Sequence, residues 1–308
     1  MNAKDIAKRH INEFSQQRPL RAGSFIITLY GDAILPRNGE VWMGDIIQLC
    51  DQVGINESLV RTAMSRLVSK NRIVGTKQGR KSYYRLSDSS RSEFHNASPQ
   101  IYSAPVANTA TWTFVLNLNT ANREDLKRKM ERIGFGDPVH GLFAKPGNCE
   151  NELYYVFGND LKDYEGMIFT ANLKDVFKQL PDPLEFSRGW NLEFLREQFD
   201  GFIEKYAPLH AAMMTQNNLE DLESLLIREI LVHEYRRIIF KYPRLPHYLL
   251  PENYPAMRAF EIFSDLYRLL LPPSETYINT HFENDFGNLR PNEPATKHRL
   301  SLLRAHKS

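Results

Sequence analysis

The sequence predicts an α+β protein in three parts: an N-terminal winged helix-turn-helix, a small ferredoxin-like α/β segment and a mostly helical C-terminal segment. Three observations carry this prediction. Residues 42–87 read as two short amphipathic helices, a tight turn and a basic hairpin. Residues 111–183 mix short β-rich runs with an amphipathic helical run. Residues 184–286 repeat apolar side chains at helical spacing, broken by a proline-rich turn. The domains are therefore placed at 1–97, 111–183 and 184–286, with a linker over 98–110 and a flexible basic tail over 287–308.

The helix pair is the best-defined stretch. Its first helix carries Ile46, Ile47, Leu49, Cys50 and Val53 and stops at Gly54, because a glycine just past a helix end can adopt the left-handed conformation that closes it. Asn56 offers the acceptor that caps the next helix. There, Leu59, Val60, Ala63, Met64, Leu67 and Val68 fall on one apolar face, and Ser58, Arg61, Thr62, Ser65, Arg66 and Ser69 on the opposite one. Guanidiniums and small hydroxyls on an exposed helix suit the base edges and phosphates of a DNA groove. A strand over 72–77, a turn at Gln78-Gly79 and a return strand over 80–86 make the wing. From Glu57 to Arg91 there are nine basic residues (Arg61, Arg66, Lys70, Arg72, Lys77, Arg80, Lys81, Arg85 and Arg91) against two acids, in a chain whose net charge is +2. Such a concentrated excess is the electrostatic footprint of duplex binding. The plain alternative is a small helical domain with a solvated charged face.

Ahead of the pair, Ile6, Ile11 and Phe14 mark a short helix. Residues 24–35 form another, packing Phe25, Ile26, Leu29 and Ile34 inward, and residues 40–42 add a short strand to the wing. In the central part, strands are expected over 112–118, 140–144 and 166–171, and a helix over 122–133 with Leu126, Met130 and Ile133 inward, ended by Gly134. Residues 150–157 fit helix or strand equally. Further on, a helix over 190–207 is expected to stop at Pro208, a helix over 219–240 to be capped by Asn218, and a helix over 256–271 to follow the four prolines of 243–255.

Composition limits the function classes. Two cysteines, Cys50 and Cys149, give neither a disulfide framework nor a repeated zinc spacing, and Cys50 reads as core. Phosphate-cradling, dinucleotide, zinc-protease and nucleophile-elbow motifs are all absent from the sequence. His233 with Glu229 and Glu234 reads as a polar helix face rather than a metal site. The charged N-terminus has no apolar run and no window is long enough to span a membrane, so a cytoplasmic, non-enzymatic protein is expected.

The chain resembles the PaaX family, bacterial winged-helix repressors of phenylacetate degradation operons. The resemblance rests on an ordered set of motifs: Tyr30-Gly31-Asp32, Gly39-Glu40-Val41-Trp42, Val60-Arg61-Thr62-Ala63, Arg66-Leu67 and Gly79-Arg80-Lys81-Ser82-Tyr83-Tyr84-Arg85-Leu86-Ser87. Later come Tyr235-Arg236-Arg237, Pro243-Arg244-Leu245-Pro246 and Leu249-Leu250-Pro251. It covers residues 20–272 and is weakest between 145 and 185. It implies a homodimer on double-stranded operator DNA and an acyl-coenzyme A effector, phenylacetyl-coenzyme A, with no cofactor. The central part of the family is similar to the ferredoxin-like spacer-acquisition nucleases, which dimerise through this fold and place a metal-binding aspartate at the end of their first strand. This chain has Asn117 and Asn119 there. Neutral amides are poor exclusive ligands for a hard divalent ion, so a dimerisation and spacer role is expected instead.

A coenzyme A thioester needs cations for its phosphates and an aromatic slot for its phenyl group. Arg237, Lys241 and Arg244 form a basic stripe if their helix extends that far, with Arg236 beside it and Trp190 and Tyr235 among the nearby aromatics. The same residues also fit a helix C-terminus favoured by its dipole and ordinary core aromatics. The leading expectation is a ligand-responsive repressor, reading DNA through Ser58, Arg61, Thr62, Ser65 and Arg66, with Lys77, Arg80 and Lys81 tracking the backbone or minor groove and Lys70 and Arg85 also contacting DNA. The alternatives are a metal-dependent nuclease and a non-specific architectural DNA-binding protein.

Overall fold

The computed structural model describes residues 2–37, 39–106, 111–117, 123–158, 166–172, 183–216 and 218–304. In chain order the elements begin with α1 (Ala3–Gln16), α2 (Ala22–Leu29), β1 (Glu40–Trp42), α3 (Met43–Asp51), α4 (Glu57–Ser69), β2 (Ile73–Gln78), β3 (Lys81–Leu86) and α5 (Asp88–Tyr102). Then come β4 (Thr111–Asn117), α6 (Arg123–Arg132), β5 (Gly136–Val139), β6 (Leu142–Pro146), α7 (Glu150–Phe157), β7 (Gly166–Asn172) and α8 (Pro183–Ser187). The last are α9 (Leu192–Thr215), α10 (Asp221–Ile239), α11 (Ala256–His281), β8 (Glu283–Asn284), β9 (Gly287–Asn288) and α12 (Glu293–Arg304). Among the described residues, no helix is long and apolar enough to cross a membrane.

Two compact units result, and both draw on distant parts of the chain. The first comprises Met1–Ala104, Phe202–Arg236 and Phe260–Ser308, the second Pro105–Gly201 and Arg237–Ala259. This differs from the sequential division into 1–97, 111–183 and 184–286. The reason is packing. Leu225, Leu226 and Ile230 of α10 and Ile278 of α11 are buried in one cluster with Phe25, Ile26, Leu29, Ile46, Leu49, Val60 and Met64. Each such buried aliphatic side chain is worth about 1.5–3 kcal/mol, so these helices help to complete the winged-helix core.

Within the first unit the capping signals work as read. Gly54 sits at φ +78° and the Leu59 N–H donates to Asn56 Oδ1 at 3.0 Å. The wing is an antiparallel sheet in the order β1-β3-β2, with Glu40 opposite Arg85 and Gln78 opposite Lys81. Its turn falls at Gly79 and Arg80, one residue later than expected, with Gly79 at φ +59°. The helix expected over 24–35 starts two residues earlier and loosens into a π-turn over Tyr30–Ile34. There Arg299 donates to the Gly31 carbonyl at 3.1 Å and the Asp32 carbonyl at 2.6 Å. Residues 98–102, expected as linker, are the end of α5, whereas 107–110 lie outside the described residues. The tail expected to be flexible forms α12, with Leu303 buried. Pro208 does not stop α9, which continues to Thr215 with Leu209 and Met213 buried; tertiary burial there outweighs the lost backbone bond.

A buried polar network ties this unit together. Asp32 Oδ2 lies 2.9 Å from Arg228 Nε, and Asp32 Oδ1 accepts from Arg299 Nη1 at 2.9 Å, from the Tyr267 hydroxyl at 2.9 Å and from the Tyr102 hydroxyl. Arg228 Nη1 reaches Glu275 Oε1 at 3.0 Å, and Glu275 also holds Arg37. Burial alone would raise the Asp32 carboxyl, but Arg228 and Arg299 outweigh it and hold it down to about 2. Glu229, buried nearby, is driven the other way, first by desolvation and then by the Asp32 charge. His233 is also inside, with Nδ1 3.0 Å from Thr28 Oγ1 and its ring edge-on to Phe14 and Phe25, so it and Glu229 are core rather than a polar face.

The second unit holds a four-stranded antiparallel sheet in the order β5-β6-β4-β7. With α6 after the first strand and α7 after the third, this is a split βαβ arrangement with the first and third strands central. Residues 150–157, left open between helix and strand, are helical. Gly134, at φ +82°, ends α6, and Leu126, Met130, Phe135, Phe143, Cys149 and Leu153 form the core.

Two outcomes are expected. Asp32→Ala strands two buried guanidiniums and should destabilise the chain by about 3–5 kcal/mol in guanidinium denaturation, with Asp32→Asn costing less. His10 is held neutral, down to about 4, by burial and by Lys205 and Arg9. Its unfolded value lies near 6.5, so the unfolded chain takes up the proton first and stability falls as pH drops from about 6.5 to about 4. The wild type should therefore lose about 3 kcal/mol more than His10→Phe across that window, read from denaturation midpoints.

Candidate functional site

α4 turns a narrow stripe inward, with Val60, Ala63 and Met64 buried. Leu59 and Val68, expected on the apolar face, are 41% and 43% exposed, because only one side of the helix meets the core. Ser58, Arg61, Thr62, Ser65 and Arg66 are all exposed, as expected of a reading face. Arg61, however, folds back along its own helix: Nε donates to Glu57 Oε1 at 2.8 Å and Nη2 lies 2.6 Å from the same oxygen.

The remaining cations fall into two groups. Arg66, Lys70, Lys77 and Arg80 are exposed and make no ion pair among the described residues. Lys81 is bound by Glu283 and lies over the Trp42 ring, 4.6 Å from its centroid. Arg85 is half-buried and pairs with Asp88 at 3.4 Å. Asp285 Oδ2 accepts from Gln78 Nε2 at 2.9 Å. Sequence reasoning missed these acids on the wing, since they stand some two hundred residues away in the chain and carry no local signal.

The basic stripe of Arg237, Lys241 and Arg244 does not form. α10 ends at Ile239, before Pro243, which removes a backbone donor and disfavours helix at Tyr242, and Arg244 takes φ +54° in the turn. Tyr235 is buried in the first unit, stacked on Phe263 at 4.2 Å between centroids. Arg236 is half-buried in the same unit, beside a small cavity that also touches Asp32 and Tyr102. Trp190 belongs to the second unit. Of the expected ligand residues, the structure brings together Trp190 and Lys241.

These two line a cleft of about 420 Å³ in the second unit, with Arg128, Glu131 and Arg132 of α6 and Phe194 of α9. Trp190 is nearly buried, edge-on to Trp112 at 6.0 Å, and its indole N–H donates to the Gly134 carbonyl at 3.1 Å. A Cβ on Gly136 would sit 2.3 Å from that indole, and one on Gly189 would sit 2.4 Å from the Pro138 backbone. Both glycines are thus required by close approach. Lys241 Nζ lies 5.6 Å from the Phe194 ring centroid. The cleft combines aromatic walls with three cations and one acid, a composition suited to an anion that carries an apolar group. Arg128 and Arg132 were not foreseen, because an i, i+4 pair of arginines on α6 looks like any solvated helix face.

Asn117 closes β4, and its N–H donates to the Gly141 carbonyl at 2.8 Å; Asn119 lies outside the described residues. No group of three or more His, Cys, Asp or Glu side chains arranged to hold a metal occurs among the described residues.

Comparison with known proteins gives three findings. The PaaX-like protein family matches residues 21–90, and the PaaX-like protein C-terminal domain matches residues 190–280. The transcriptional repressor PaaX of Escherichia coli (strain K12) is 27% identical over 286 residues, covering 88% of this chain and 87% of that protein. Among solved structures, the uncharacterized protein Rv0674 from Mycobacterium tuberculosis aligns with a TM-score of 0.49 at 19% identity, over 82% of this chain and 96% of that one.

Gly136→Ala should push the Trp190 indole out of place. The expected result is a shifted tryptophan emission and greater access to a soluble quencher, whereas Gly201→Ala, where a Cβ meets nothing within 4 Å, should change neither.

Proposed function

The chain belongs to the PaaX-like family, and on that premise we propose that it is a cytoplasmic transcriptional repressor that binds operator DNA as a homodimer and is released by an acyl-coenzyme A. The observation that carries the DNA half is the set of exposed cations Arg66, Lys70, Lys77 and Arg80, without an ion pair among the described residues, beside the exposed hydroxyls Ser58, Thr62 and Ser65. Hydroxyls and Arg66 on α4 suit base edges, and the other cations suit phosphates, which position the protein without reading sequence. In a homodimer, two α4 helices about 34 Å apart would meet successive major grooves of an inverted repeat. The repressor role follows the family, whose members are regulators and not enzymes. No catalytic step is assigned.

The effector half rests on the cleft of the second unit. Arg128, Arg132 and Lys241 in its lining would take phosphates, and Trp190 and Phe194 an aryl or acyl group. Phenylacetyl-coenzyme A, the effector implied by the resemblance to repressors of phenylacetate operons, has both. Release requires that the thioester bind a DNA-incompetent state more tightly than the DNA-bound one.

The test is a duplex-binding titration at fixed salt on the DNA upstream of this protein's own gene, with phenylacetyl-coenzyme A, phenylacetate and coenzyme A added separately. Only the thioester should release the complex. Arg66→Ala should cost about 1–3 kcal/mol of operator binding. Losing Lys77 or Arg80 should lower the salt slope by about 0.9 each. Arg132→Ala with Lys241→Ala should raise the thioester concentration needed by about tenfold or more. A specific complex indifferent to all three compounds would remove the effector half, and no specific complex at all would remove the repressor reading.

A further inference from the structure

The β8–β9 hairpin is anchored beneath the wing and reaches up to it. Its flanking residues Phe282 and Leu289 are buried in the winged-helix core, and the Leu289 N–H donates to the Phe282 carbonyl at 2.8 Å. The Glu283 N–H donates to Asp45 Oδ2 at 2.8 Å, and Asp45 is itself buried at the start of α3. The hairpin is therefore a docked element, held by core and by main chain. From this base two carboxylates extend to the wing: Glu283 binds Lys81 Nζ, and Asp285 accepts from Gln78 Nε2 at 2.9 Å. Lys81 and Gln78 are paired residues flanking the wing turn, and Arg80 lies between them in sequence.

We infer that this hairpin is a built-in competitor for the wing: Glu283 and Asp285 occupy donors that would otherwise meet DNA phosphates, and so they set the protein's affinity for DNA. The inference rests on the DNA-binding reading above and deepens it. A carboxylate and a phosphate offer an ammonium the same kind of acceptor, so both cannot hold Lys81 in one geometry. The Lys81–Glu283 pair is partly exposed, at 45% and 30% of the side chains, and such pairs are weak enough to exchange. The competitor therefore lowers affinity without abolishing it. Two carboxylates beside the wing also repel an approaching backbone, an effect that salt screens. The cation count of the sequence overstates the wing's free charge for this reason.

The experiment compares the wild-type chain with Glu283→Gln and with the double variant Glu283→Gln/Asp285→Asn, using fluorescence anisotropy on an operator duplex and a scrambled duplex across a salt series. The Glu283→Gln change leaves the backbone bond to Asp45 intact, and thermal melting in parallel reads whether the fold holds. Glu283→Gln should bind both duplexes roughly fivefold to tenfold more tightly at about 0.1 M salt, with a salt slope steeper by about 0.9, one added phosphate contact. The double variant should bind at least as tightly. Adding Lys81→Ala to Glu283→Gln should cancel the gain, and Glu293→Gln, the same charge change on α12, should produce none. Wild-type affinity and slope in Glu283→Gln and the double variant would overturn the inference, as would an equal gain from Glu293→Gln. Absence of duplex binding by every variant would overturn the DNA-binding reading itself, and this inference with it.

Discussion

Asp32 is the group on which the first unit depends. Its carboxylate is fully buried in the loosened turn after α2, and four other stretches of chain converge on it: Tyr102 of α5, Arg228 of α10, Tyr267 of α11 and Arg299 of α12. An isolated charge in that place would be prohibitively unfavourable, and it persists because two guanidiniums and two hydroxyls replace water around it. Such networks contribute little net stability over an apolar core but are costly to break one member at a time. The Tyr30-Gly31-Asp32 motif thus has a structural reason. It marks the point where the winged-helix part is bound to Arg299 of α12.

That constraint reshapes the organisation of the molecule. A winged helix-turn-helix is often a detachable module, but here its core is closed by Leu225, Ile230, Ile278, Phe282 and Leu289 from the C-terminal half. α9, α10 and α11 each pass from one compact unit to the other along the chain.

Electrostatics in the wing is a matter of partnership more than of number. Arg61, Lys81 and Arg85 already have acidic partners, and among the described residues Arg66, Lys70, Lys77 and Arg80 have none. The same holds in the cleft. Lys241 and Trp190 acquire meaning only beside Arg128 and Arg132, and the indole fits only because Gly136 has no side chain to oppose it.

Determined by the sequence alone were the elements whose causes are local. Gly54 and Asn56 bracket a tight turn through backbone conformation and a short-range cap, Gly79 shapes the wing turn, and Gly134 ends α6; each acts within a few residues. The exposed face of Ser58, Thr62, Ser65 and Arg66 was legible for the same reason, since helical periodicity alone separates it from Val60 and Met64. Tertiary structure decided what distance in the chain conceals. Pro208 does not end its helix because packed neighbours hold it, and Arg244 leaves the expected stripe because Pro243 and the turn place it elsewhere. Arg299, read as part of a loose tail, becomes a partner of Asp32, and Glu283 meets Lys81 across the fold. Caps and turns are short-range and written in neighbouring residues, whereas a buried charge finds its counter-charge only when the whole chain has closed around it.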